Sequence, residues 1–150
     1  MIIAIDKRFL LALFSSLALS APAAAALVHE GEWETAIESK TEVPGVPFAM
    51  PTISFKLKQC LTEQDMVPNT SKENQRCEVK NRQVNGGTVT WQSVCTNKSG
   101  KKTESDGEMT YSGDTFQGFV HGRTLSEKPN AQPIKTESKL SGHYVGACKK

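Results

Sequence analysis

From Gly31 onward the chain alternates between apolar and polar side chains. In GEWETAIESKTE (31–42), Trp33, Thr35 and Ile37 interleave with Glu32, Glu34 and Glu38. In TISFKLKQC (52–60), Ile53, Phe55 and Leu57 share one face, and Ser54, Lys56 and Lys58 the other. A period of two is the mark of a strand with one buried face. CEVKNRQV (77–84), TVTWQSVC (88–95), Lys102 to Tyr111, TFQGFVHGRT (115–124) and IKTESKLSGHYVGAC (134–148) read as further strands. Turn residues separate them, and Thr62 with Asp65 caps one helical turn before Pro68. No amphipathic helix of about ten residues or more follows residue 28, which disfavours a parallel α/β fold. The expected fold is all-β: an antiparallel up-and-down meander of about seven strands closing into a small barrel, with a two-sheet sandwich as the alternative. Gly107, Gly118, Gly122 and Gly142 interrupt strand patterns and are expected at bulges or sharp coiling.

The first residues follow another rule. Lys7 and Arg8 precede an apolar run from Phe9 to Leu19, then Pro22 and the small residues Ala23 to Ala26. That order is a secretory signal peptide, residues 1–26, cleaved after Ala26 to leave a single β domain over 27–150. An uncleaved anchor is the alternative, since residues 9–28 carry no charge and a spanning helix needs about 20 residues. Pro22 and the serines weaken that core, so no stable membrane span is expected after cleavage. The destination is periplasmic or secreted.

Composition changes the picture in two ways. The chain has 18 Lys and Arg against 16 Asp and Glu. Removing Asp6, Lys7 and Arg8 leaves 18 − 2 = 16 against 16 − 1 = 15, so neither a nucleic-acid partner nor long-range steering follows from total charge. The four cysteines, Cys60, Cys77, Cys95 and Cys148, all lie in the exported part, and an even number there implies two disulfides. Asn85-Gly86-Gly87 is a hairpin turn signal. A three-residue loop at that point makes partner numbers sum to 172, which sets Cys77 opposite Cys95 and leaves Cys60 for Cys148. No C-x-x-C pair or Cys/His cluster at ligand spacing exists, which argues against zinc.

Several stretches together resemble a bacterial domain-of-unknown-function family, number 3617. They are GEWE (31–34), PGVPFAMP (44–51), QCLT (59–62), the Cys77 strand, VTWQSVC (89–95), TYSGDTFQG (110–118) and SGHYVGAC (141–148). The resemblance covers Gly31 to Cys148 and implies an exported all-β domain without supplying a catalytic residue. Members often carry a Met-rich, Gly-rich strand after the Tyr-Ser-Gly-Asp turn. Here that segment reads FVHGRTLSEKPNAQ, so properties tied to those methionines are not expected.

Candidate chemistry is sparse. His29, His121 and His143 have no carboxylate or cysteine at ligand spacing and are expected at the surface. Glu104, Asp106 and Glu108 fall on one strand face; calcium binding or acid/base work could use that spacing, and a solvated face is the better reading. Lys56/Lys58 and Lys80/Arg82 suit cross-strand pairs with carboxylates such as Glu34 and Glu38. The loop VPGVPFAMP (43–51) offers Phe48 and Met50 between prolines, either as a recognition segment or folded over an open barrel end. Trp33 and Trp91 lie on apolar strand phases, as core or as the lining of a barrel mouth. We therefore expect a non-catalytic binding or interaction module for a small apolar ligand or an envelope protein, with Phe48, Met50, Trp33 and Trp91 as candidate binding residues. No cofactor, metal or catalytic residue is expected, and the oligomeric state is left open. A structural or stress-related envelope protein without a ligand is the alternative. A hydrolase-type enzyme would have to rest on the Glu104 row or a histidine.

Overall fold

The computed structural model describes residues 28–68, 74–126, 128 and 130–149. The expected signal peptide lies outside them. Seven strands form where the alternation places them: β1 (Gly31–Glu42), β2 (Ile53–Leu61), β3 (Gln75–Asn85), β4 (Thr88–Asn97), β5 (Lys102–Ser112), β6 (Thr115–Thr124) and β7 (Ile134–Gly146). They make one sheet, ordered β2-β1-β7-β6-β5-β4-β3, with every neighbouring pair antiparallel.

Neither the expected barrel nor the sandwich forms, because β2 and β3 stay as the two edges of this single sheet. Strand parity leaves only a parallel bond to close the sheet, and none forms. Seven strands alternating in direction leave the outer two running the same way. Take the end where β1 begins as the foot and the end where it finishes as the head. Gly31 faces Leu61, so β2 leaves at the foot; Glu42, Lys135, Arg123, Glu104 and Val94 are successive neighbours at the head, where β3 starts. An antiparallel bond between β2 and β3 is therefore impossible.

The apolar phase of the strands packs toward the foot. Trp33, Val89, Trp91, Met109, Tyr111, Phe116 and Leu140 are buried in one cluster with Val28, Leu61 and Met66. Ring centroids of Trp33 and Phe116, and of Tyr111 and Phe116, are 5.5 Å apart. The glycines expected to mark bulges do a different job. Register is unbroken through Gly107, Gly118, Gly122 and Gly142. A Cβ on Gly107 would land in the Trp91 ring, and one on Gly142 in the Phe116 ring. The bare Cα leaves room for an aromatic on the neighbouring strand. Irregularities sit instead between Glu32 and Trp33, and between Lys80 and Gln83.

A 3-10 turn, Glu63–Met66, caps the foot of the core. Thr62 and Asp65 form the expected capping box, and the Tyr111 hydroxyl donates to the Met66 carbonyl at 2.9 Å. Toward the head the same face changes character. Ser39 meets Ser138 at 2.7 Å, Ser93 meets Ser105 at 2.8 Å and Thr103 meets Thr124 at 3.1 Å, so hydroxyl pairs replace rings across the strands.

Both disulfides have the expected partners, Cys77–Cys95 and Cys60–Cys148. The hairpin reaches its pairing by a different route. Asn85 faces Thr88, so the turn is the two residues Gly86-Gly87, and partner numbers near it sum to 173. A bulge between Lys80 and Gln83, where Asn81 takes a φ of 50°, absorbs one residue. Beyond it Lys80 faces Gln92 and Cys77 faces Cys95, restoring 172. Two disulfides fit an oxidising, extracytoplasmic compartment.

Candidate interaction surface

The structure splits the four candidate binding residues into two groups. Trp33 is 0% exposed, its indole N–H donating to the His29 carbonyl at 2.8 Å. Trp91 is 4% exposed, its ring lying over Gly107. Both are core. Phe48 is 68% exposed and Met50 41%, in the link from β1 to β2 at the head. Trp33 lies nine steps along β1 from Glu42, roughly 30 Å at about 3.3 Å per residue, so its indole and the loop do not share a site.

What the loop does join is β2. Ile53, 61% exposed, and Phe55, 47% exposed, lie on the core-facing side of the sheet, opposite Ser39 and Ile37. As inward residues of a central strand they would be covered. On an edge strand with no partner beyond it, they stand in solvent. Val79 and Val84 on β3, the other edge, are exposed for the same reason. Between residues 48 and 55 the chain thus presents Phe48, Met50, Ile53 and Phe55 in close succession, an apolar strip running from the head down the β2 edge. Pro44, Pro47 and Pro51 restrict the loop, and the Val46 N–H closes a turn on the Val43 carbonyl at 3.2 Å, with Gly45 at a φ of 82°.

The fold also sorts charge that looked scattered along the chain. At the head lie Lys98 and Lys101 of the β4–β5 turn, Arg76, Lys102, Arg123, Lys135 and Lys128, against Glu42, Glu78 and Glu104. At the foot lie Glu30, Glu32, Glu63, Asp65 and Asp114, against Arg82 and Lys149. The two ends thus carry opposite sign.

The remaining candidates are ordinary surface. Glu104, Asp106 and Glu108 do share the outer face; Glu104 pairs with Arg123 at 3.1 Å and Asp106 with His121 at 3.3 Å, these four being well exposed and Glu108 half-buried. Chain spacing hid such partners: His29 also meets a carboxylate, Asp114, at 2.8 Å and stacks on Tyr144. Lys56 reaches Glu34 at 3.5 Å, as a cross-strand pair. Among the described residues no group of three or more His, Cys, Asp or Glu side chains is placed to hold a metal. Two open grooves of mixed polar and apolar lining, of about 570 and 510 Å³, cross the outer face between such groups as Glu34, Lys56, Phe119, Ser141 and Lys139; none of the four candidate residues lines them. Burial pushes the Tyr111 hydroxyl up from 10.0 to about 12, Arg82 opposing and Asp65 assisting; it is a capping group of the core.

These features define a disulfide-stapled, single-sheet β domain with an exposed apolar edge. Residues 28–148 match the family model described as "Protein of unknown function (DUF3617)", and the chain belongs to that family. No curated protein and no solved structure matches the chain. No helix among the described residues is long and apolar enough to cross a membrane.

Proposed function

We propose that the protein is an exported, periplasmic binding module without catalytic activity, and that it engages an apolar partner through the strip Phe48, Met50, Ile53 and Phe55. The observation that carries this reading is their exposure: four large apolar side chains stand in solvent within one short segment. Isolated exposed apolar residues are normal, but a contiguous apolar surface on a soluble domain marks an interaction site. The prolines limit what the loop loses in entropy on binding. The signal-peptide pattern and the two disulfides support the location. A titration with the apolar fluorophore bis-ANS tests the reading. Binding to the folded wild type that falls at least fivefold in Phe48→Ser/Met50→Ser supports it. Equal binding by both proteins, or none by either, leaves the strip without a role and favours a structural envelope protein.

A further inference from the structure

We infer that the partner of this strip is the surface of an anionic lipid bilayer, against which the head of the sheet docks; the inference rests on the binding-module reading above. Three links emerge from the same rim of the sheet: 43–52 between β1 and β2, 98–101 between β4 and β5, and between β6 and β7 a link whose described residues are 125, 126, 128 and 130–133. The first carries the exposed Phe48 and Met50 and leads into the exposed Ile53. The second and third, with the strand ends beside them, carry the cations. Lys98, Lys102, Arg123, Lys128 and Lys135 are exposed and Lys101 is half-buried.

That combination fits a lipid interface better than other apolar partners. A small apolar ligand gains from an enclosing cavity, whereas Phe48 protrudes. Phe and Met side chains can enter the boundary between headgroups and acyl chains while Lys and Arg stay among the headgroups. Each cation near an anionic bilayer adds attraction that dies away within a Debye length, so a set on one rim acts together. The foot, where Glu30, Glu32, Glu63, Asp65 and Asp114 outnumber Arg82 and Lys149, would be repelled by the same surface. The protein is therefore oriented head-on. The net charge of +2 over the whole chain conceals this, because the two ends offset one another.

The test is co-sedimentation of the mature chain with vesicles of phosphatidylglycerol and phosphatidylethanolamine, beside vesicles of phosphatidylcholine alone. The inference expects binding to the anionic vesicles that is at least about tenfold stronger than to the neutral ones and drops about tenfold between low and high salt. Phe48→Ser/Met50→Ser should lose most of it. Lys98→Glu/Lys102→Glu, on another link and the strand end beside it, should lose it too while keeping bis-ANS binding. If vesicles fail to bind while bis-ANS still depends on Phe48 and Met50, the lipid inference is overturned and the binding-module reading stands. If neither binds, both fall. Equal binding to both vesicle types, or binding indifferent to the lysines, also overturns the lipid inference. Circular dichroism of each variant confirms that it is folded, and Phe48→Leu, which keeps an apolar tip, should restore binding.

Discussion

Replacing Gly107 by alanine should destabilise the protein, although alanine is otherwise the better strand residue. A Cβ at Gly107 would fall within 3 Å of three atoms of the Trp91 ring, Cζ2, Cη2 and Cε2. Trp91 is 4% exposed and belongs to the core cluster with Val89 and Met109, so moving its ring would disturb that packing. Overpacking of this kind costs about 1–3 kcal/mol. The gain from removing a flexible glycine offsets about 0.5–1 kcal/mol of that. A net loss of roughly 1–2 kcal/mol follows. Gly122 is the internal control. It lies on the same face of the adjoining strand, and its Cβ would meet nothing closer than Thr136 at 3.8 Å. Gly122→Ala should be neutral or stabilising by up to about 0.5 kcal/mol. Urea denaturation followed by tryptophan fluorescence gives both numbers, provided the m-values agree. Equal losses in the two variants, or a stable Gly107→Ala, would show that Trp91 does not lie over β5 and would refute the packing argument.

Tyr111 should govern alkaline stability. Burial favours its neutral form, so its contribution is complete below pH 10 and is lost as pH rises through about 12, on the order of 2 kcal/mol in all. The Tyr111→Phe variant should lose that phase of the pH–stability curve, and a curve unchanged in shape would contradict the assignment. Removing either disulfide by paired Cys→Ala substitution should destabilise, the Cys60–Cys148 bridge by about 1.4 kcal/mol more, since it closes 88 residues against 18. Thermal unfolding of the two variants ranks them, and the reverse order would count against loop closure as the dominant effect.

Much of the fold was legible because its signals are local. Alternation set the strands, the Thr62/Asp65 pair set the cap, and Asn85-Gly86-Gly87 set the hairpin. The bulge at Asn81 was not legible, since no residue there demands a positive φ. Its effect happened to cancel the shorter turn, which is why the Cys77–Cys95 pairing emerged from an incorrect loop length. The closed barrel was expected because strands that neighbour one another in sequence form a meander that can curl closed; whether the outer two can pair antiparallel depends on whether the count is even. Parity turns on one strand, below the resolution of a reading of about seven. The same omission hid the site. Ile53 and Phe55 carry the pattern of buried residues and are exposed solely because β2 is an edge. Phe48 and Met50 stood out in sequence, through their prolines. Trp33 and Trp91 stood out too, but core and binding-site tryptophans look alike until the neighbouring strands are known. The basic head was illegible, since its lysines come from three separate links that the register alone brings to one rim.

The most direct measurement is the distribution of the chain within its own cells after gentle release of the periplasm. The account predicts that the wild-type protein stays with the envelope membranes in low salt and is washed free by high salt, while Phe48→Ser/Met50→Ser emerges with the soluble periplasmic proteins. A wild-type protein already soluble at low salt, or a double variant that stays with the membranes as firmly, would contradict it.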